Sequence, residues 1–146
     1  MKLFKKENHR NIVIVGCGRL GSALASNLSD QNENVLIVDC NEESLETLPQ
    51  TYGGFSLEGD GTDTDILKLA GIQKADILIA ATGDDNTNIM IAQIAKECFG
   101  VKTVVARVDD TSSDAVCSPI GIMAISPALL LFNEFKKVLG ENEESA

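Results

Sequence analysis

The run Ile12-Val-Ile-Val15 ends directly in Gly16-x-Gly18-x-x-Gly21, and a helical pattern with Leu20, Leu24 and Leu28 on one face starts at once. No other stretch of the chain constrains its fold as tightly. A buried strand, a glycine turn and a helix in immediate succession turn a bare glycine motif into a dinucleotide-binding signature. Gly16 permits the sharp turn off the strand, Gly18 leaves the backbone open to a pyrophosphate, and Gly21 lets the helix pack closely on the sheet. The first helical turn then offers free N–H groups and the positive end of its dipole to an anion. The bland alternative is a tight turn that holds no ligand. Cys17, Arg19 and Leu20 fill the positions between the glycines and are candidate contacts with them.

The rest of the chain repeats the alternation. A helix over Arg19 to Gln31 is followed by Val35-Leu-Ile-Val-Asp39, a second parallel strand. Asp39 closes it 18 residues beyond Gly21, where a carboxylate accepts hydrogen bonds from adenosine ribose hydroxyls and repels a 2′-phosphate. Asn41, backed by Glu42 and Glu43, is a better helix cap than Asp39. A short helix over Glu42 to Leu48 leads to a third strand, Phe55 to Glu58. Gly59-Asp-Gly-Thr-Asp63 follows at its carboxyl end, with Asp63 capping a helix over Thr64 to Ala70. Asp60, Gly61 and Thr62 lie beside an adenine on one reading and serve turn and cap chemistry alone on the other.

Ile77 to Ala81 is a fourth strand, and a long helix runs from Asp85 to Phe99. Thr82 and Gly83 are expected to face the glycine turn across the cleft. Asp84 and Asp85 either meet a ligand or complement the helix N-terminus. The fifth strand, Thr103 to Val108, carries Arg107, whose charge in an apolar run calls for a carboxylate or a phosphate. A short helix through Val116 and Cys117 and a sixth strand, Gly121 to Ile125, precede a last helix opened by Ser126-Pro127. That helix is apolar almost all round its first half, so it is expected both to pack on the sheet and to meet a partner. Together these elements predict an α/β fold, a Rossmann-type doubly wound parallel sheet of about six strands in the order 3-2-1-4-5-6 with a C-terminal apolar helix.

Bulk properties narrow the function. A net charge of -10 excludes nucleic-acid binding through a generic basic surface. The 146 residues suit one domain with a sizeable core, too few for a cofactor domain plus a full substrate domain. No segment approaches the roughly 18 apolar residues of a membrane span, and the basic start Met1 to Arg10 lacks a signal-type apolar core. A cytoplasmic protein without direct membrane insertion is expected. Four cysteines and one histidine, His9, show no ligand spacing, so no metal site is expected. Cys17 in the glycine turn and Cys40 after the second strand are placed to approach a ligand. Redox sensitivity is one reading of them, small filler residues in a reducing cytosol the other.

The ordered series of turns resembles the N-terminal nucleotide-binding domain, the RCK or KTN domain, of Trk/Ktr-type potassium transport regulators. The matching pieces are Val15-Gly-Cys-Gly-Arg19-Leu-Gly21, Val38-Asp39, Gly59 to Asp63, Leu69 to Ile72 with Ala75-Asp76, Thr82 to Asn86 with Asn88, Ala106 to Val108, and Gly121 to Pro127. The resemblance implies a regulatory subunit rather than an enzyme, binding NAD(H) or ATP/ADP. It implies a homodimer or higher homo-oligomer gating a membrane-embedded potassium transporter subunit, and so a protein peripheral to the membrane through that partner. By this likeness Arg19 reaches the phosphates, Asp39 holds the ribose, and Asp60 and Gly61 lie by the adenine. Thr82 to Asp84 border the central cleft, Arg107 is a second basic contact, and the final helix exchanges between subunits. The organisation expected is a polar lead-in over 1–10, a nucleotide-binding domain over 11–126, a dimerisation or crossover helix over 127–140 and an acidic tail over 141–146.

Two departures accompany the likeness. Many relatives carry a glutamate, used with a divalent cation, where this chain has Ala128, and they usually continue into a second regulatory domain that these residues do not include. The competing reading is an NAD-dependent oxidoreductase or a fragment of one. It is disfavoured because His9 lies outside the motif and the single tyrosine, Tyr52, has no lysine four residues on.

Overall fold

Strand β1 (Asn11–Val15) shows why this chain must be layered on both sides. Ile12 and Ile14 point to one face and Val13 and Val15 to the other, and all four are buried. Residues alternate across a strand, so helices must cover both faces of the sheet. The computed structural model describes residues 9–140. Most of the polar lead-in and all of the acidic tail lie outside the described residues.

The sheet has six parallel strands in the order β3-β2-β1-β4-β5-β6. They are β1, β2 (Asn34–Asp39), β3 (Phe55–Glu58), β4 (Ile77–Ala80), β5 (Thr103–Arg107) and β6 (Ile122–Ile125). Between and after them run α1 (Arg19–Asp30), α2 (Glu42–Glu46), α3 (Thr64–Leu69), α4 (Asp85–Gln93), α5 (Asp114–Cys117) and α6 (Pro127–Val138). One core layer packs Ile12, Ile14, Val35 and Ile37 with Ala25, Leu24 and Leu28 of α1. The other packs Val13, Val15, Leu78 and Val104 with Leu67 of α3, Ile91 of α4 and Cys117 of α5. The strand order reverses between β1 and β4, and the carboxyl ends of these two strands border a crevice there.

Capping follows the sequence closely. Asn41 accepts from Glu43 N, Asp63 from Asp65 N, Asp84 from Thr87 N and Ser126 from Leu129 N. Helix α1 alone among these five starts at a glycine, Gly18, with no side-chain cap.

Three expectations need correction. The helix expected over residues 85–99 is α-helical only to Gln93 and continues as a π-turn, Ile94–Cys98, closed by Val101 N donating to Ala95 O. Leu20 is not on the core face with Leu24 and Leu28. It is 42% exposed, because the buried stripe of α1 runs through Gly21 and Ala25. Helix α6 does not pack on the sheet: none of its residues is buried, and Phe135 and Val138 are 67% and 84% exposed. A helix with apolar residues all round can cover only part of them with its own domain.

The glycine turn is fixed by two close approaches. Gly16 has φ +108°, and a Cβ there would stand 2.6 Å from the Ala81 carbonyl carbon and 2.7 Å from Thr82 N. A Cβ on Gly21 would overlap the Gly16 carbonyl oxygen, whereas one on Gly18 would meet nothing within 4 Å. Gly21→Ala is therefore expected to destabilise the domain by about 1–3 kcal/mol or more, and Gly18→Ala to leave stability within about 1 kcal/mol. Urea unfolding checks this, and equal losses would contradict the packing account.

Candidate functional site: the crevice at the carboxyl ends of β1 and β4

The crevice has a volume of about 380 Å3 and is built from the ends of five strands or the turns after them. Val15 to Leu20 come from the glycine turn, Asp39, Cys40 and Ser44 from the end of β2 and the start of α2. Gly59, Asp60 and Gly61 follow β3, Ala81, Thr82 and Gly83 follow β4, and Arg107 ends β5. Thr87 and Ile91 of α4 complete the wall.

Asp39 is held by two backbone N–H groups. Its Oδ2 accepts from Cys17 N and its Oδ1 from Asn41 N, both at 2.8 Å. The carboxylate thus ties the glycine turn to the end of β2. A carboxylate has about four acceptor positions, so each oxygen keeps capacity for a further donor. Beside it, the first turn of α1 has no side-chain cap and no acidic residue. The first-turn N–H groups and the dipole are free to meet an anion. Arg19 adds a positive charge at that turn, exposed and without an ion-pair partner among the described residues. Arg107 lines the opposite wall, with Nε 3.8 Å from Asp109 Oδ1.

A nucleotide fits this donor set. Phosphates need N–H groups and cations, which the α1 start, Arg19 and Arg107 provide, and Gly18 leaves open space for close approach. Ribose hydroxyls need an oriented acceptor, which Asp39 provides.

Of the sequence-predicted residues, Gly16, Cys17, Gly18, Arg19, Leu20, Asp39, Cys40, Asp60, Gly61, Thr82, Gly83 and Arg107 are brought to the crevice. Gly21, Thr62, Asp84 and Asn88 do not line it, and each has a supporting role instead. Gly21 packs α1 on the turn. Thr62 donates from its amide and hydroxyl to Asp60 Oδ1, at 2.9 and 2.7 Å. Asp84 caps α4 through Thr87. Asn88, 1% exposed, is a bracket behind the wall. Its Oδ1 accepts from Thr82 N and Thr82 Oγ1, and its Nδ2 donates to Thr82 O and Arg107 O at 3.0 and 2.8 Å. All four of its hydrogen-bond positions are used to hold the ends of β4 and β5 together. Asp85 complements this by accepting from Asp109 N and Asp110 N, both at 2.9 Å.

Ser44, Thr87 and Ile91 line the crevice without having been read from the sequence, whereas Gly59 belongs to the turn that was. The third residue of a capped helix, as at Ser44 and Thr87, and an apolar helix position such as Ile91 carry no local motif, so only the sheet order could have placed them. The thiols differ: Cys17 is buried, with its Sγ donating to Ser44 O at 3.2 Å, and burial pushes its pKa up. Cys40 is exposed.

Three carboxyls around the turns titrate low. The Thr62 amide and hydroxyl hold Asp60 below the usual carboxylate range, the Thr87 hydroxyl and amide do so for Asp84, and the Ser112 hydroxyl and amide for Asp110.

Residues 12–127 match the TrkA-N domain family. The Trk system potassium uptake protein TrkA of Streptomyces coelicolor is 40% identical over 116 residues, covering 80% of this chain and 52% of that protein. The chain therefore spans about half the length of that relative. Among solved structures, the TrkA-N domain of the inner membrane protein ybaL of Escherichia coli has a TM-score of 0.80 at 18% identity, over 91% of this chain and 98% of that one. The GsuK channel bound to NAD has a TM-score of 0.68 at 18% identity, over 85% of this chain and 22% of that one. GsuK is also solved bound to ADP, with a TM-score of 0.67 at 18% identity over 84% and 32% of the two chains.

A depressed folded-state pKa means that the unfolded chain binds protons first as pH falls. The contribution of Asp60, Asp84 and Asp110 is thus fully present above the ordinary aspartate range near pH 4 and is lost as pH drops below it. Urea midpoints measured from pH 7 to pH 3 are expected to fall on the acid side, with a shallower fall in Asp84→Asn. An unchanged slope in that variant would remove Asp84 from the account.

Proposed function

This chain belongs to the TrkA-N domain family, and we propose that it is the nucleotide-sensing domain of a potassium uptake regulator. On this reading it binds an adenine nucleotide in the crevice and acts on a membrane-embedded transport partner. The observation that carries the reading is the Asp39 carboxylate, fixed by two backbone N–H groups beside an uncapped helix start. Asp39 takes the ribose hydroxyls, the Gly16–Gly18 turn and the first turn of α1 take the phosphates, and Arg19 and Arg107 neutralise them. Asp60 and Gly61 border the adenine side, and Thr82 and Gly83 the centre. The adenosine that Asp39 reads is common to NAD(H), ATP and ADP, and the neighbouring GsuK channel is solved with both NAD and ADP.

Regulation rather than catalysis is supported by what the wall is made of. Its lining residues include no histidine, lysine or tyrosine. Tyr52 donates to Phe55 O at 2.7 Å, at the amino end of β3, and burial pushes its pKa up to about 12. A hydride-transfer enzyme needs a positioned acid or base beside the nicotinamide.

The partner side is carried by α6. Leu129, Leu130, Leu131, Phe132 and Phe135 are all exposed, as are Met123 and Ile125 of β6, the strand that precedes α6. A patch of this kind marks a protein interface, and we assign it to a second copy of the chain. No helix among the described residues is long and apolar enough to cross a membrane. The domain would then sit in the cytoplasm, held at the membrane by its partner.

Protein stripped of nucleotide and titrated calorimetrically is expected to bind NADH, ATP and ADP, with NADPH weakened by Asp39. Asp39→Ala should cost about 1.5–3 kcal/mol of that binding, roughly 10- to 150-fold. Absence of binding at millimolar ligand would overturn the reading. For the interface, Leu130→Asp combined with Phe135→Asp is expected to shift the protein to monomer on a sizing column, and a monomeric wild type would contradict the assignment.

A further inference from the structure

One cation on the crevice wall is shared with an acceptor outside it. Arg107 lines the crevice, and its Nε also lies 3.8 Å from Asp109 Oδ1. Both side chains are partly in solvent, 35% and 55% exposed. A pair this long and this wet is held weakly. A phosphate, which can take a guanidinium through two parallel N–H···O bonds, is the stronger acceptor. The Nε that faces Asp109 is one of the donors such a side-on contact uses.

Asp109 is also tied elsewhere, through its backbone. Its N–H donates to Asp85 Oδ1 at 2.9 Å, and its carbonyl accepts from Ser126 Oγ at 3.4 Å. Ser126 is the cap of α6, accepting from Leu129 N at 3.2 Å. Strand pairing adds Val108 N donating to Ile125 O at 2.9 Å, immediately before that cap. Asp109 therefore touches a crevice guanidinium with its side chain and the cap of α6 with its backbone. Its carboxylate has no other hydrogen bond or ion pair among the described residues.

We propose that Asp109 competes with the ligand phosphate for Arg107 and transmits the outcome to the first turn of α6. The proposal rests on the nucleotide reading above and gives the crevice its regulatory output. A phosphate that takes Arg107 frees the Asp109 side chain, and the backbone carbonyl that shares the Ser126 hydroxyl responds. A ligand that fills only the ribose side leaves the Arg107–Asp109 pair in place. The crevice thereby distinguishes a phosphate-bearing ligand from its nucleoside at α6.

The test is calorimetric titration of ADP and of adenosine into the wild-type chain, Asp109→Asn, Arg107→Gln and the double variant. It is joined by amide hydrogen exchange over residues 126–130 with and without ADP. Removing the competing carboxylate is expected to tighten ADP binding by roughly two- to fivefold and to leave adenosine unchanged. In the Arg107→Gln background that gain disappears, and ADP no longer alters exchange at the start of α6. Unchanged or weaker ADP binding in Asp109→Asn overturns the proposal. So does an equal gain for adenosine, a gain that persists without Arg107, or exchange at 126–130 that ADP never alters in the wild type. Failure of the nucleotide reading itself looks different: the wild-type chain then binds neither ADP nor adenosine.

Discussion

The Asp39 carboxylate organises the functional end of this domain. By accepting from Cys17 N and Asn41 N it joins the turn after β1 to the turn after β2. Gly16 N donating to Val38 O at 2.8 Å and Cys17 Sγ donating to Ser44 O at 3.2 Å run alongside that bridge, so the glycine turn is held against the end of β2 and the start of α2 at three points. The same bridge fixes the carboxylate in the crevice wall. One group thus serves as structural tie and recognition element, and the two roles are compatible because each oxygen has more than one acceptor position.

The opposite wall is organised in the same way by an uncharged side chain. Asn88 satisfies two donors and two acceptors from Thr82 and Arg107. In a buried position an aspartate could not donate and a leucine could neither donate nor accept, so the amide is the side chain that leaves nothing unpaired there. Asp85 extends the bracket to Asp109 and Asp110. The start of α4 therefore positions the ends of two strands, while its Thr87 also lines the crevice.

Much of this was legible in the residues. The alternation of apolar runs with glycine or acid turns points to a parallel sheet, and the order 3-2-1-4-5-6 comes from the doubly wound template that the dinucleotide-binding turn signals. Asp39 was legible because it combines a strand end with the right distance from Gly21, and Asn41 and Asp63 because caps are local chemistry. Asn88 and Asp84 were not separable from the crevice lining by sequence. Both lie in a motif-rich turn, and which way a side chain points there depends on the neighbouring strand. Helix α6 failed for a related reason: an apolar pattern says that a surface must be covered, not by what. Within the described residues the sheet does not cover it.

On the proposed reading, the carboxyl-end crevice with Asp39 at its wall holds an adenine nucleotide, and amide chemical-shift mapping of the isotope-labelled chain with ADP puts that to the test. The largest shifts are expected on the Cys17, Gly18 and Arg19 amides, the Asn41 amide hydrogen-bonded to Asp39, and Gly83. Shifts confined to the amino-end groove lined by Asn11, Gly53, Phe55 and Gly71, with the glycine turn unmoved, would contradict it.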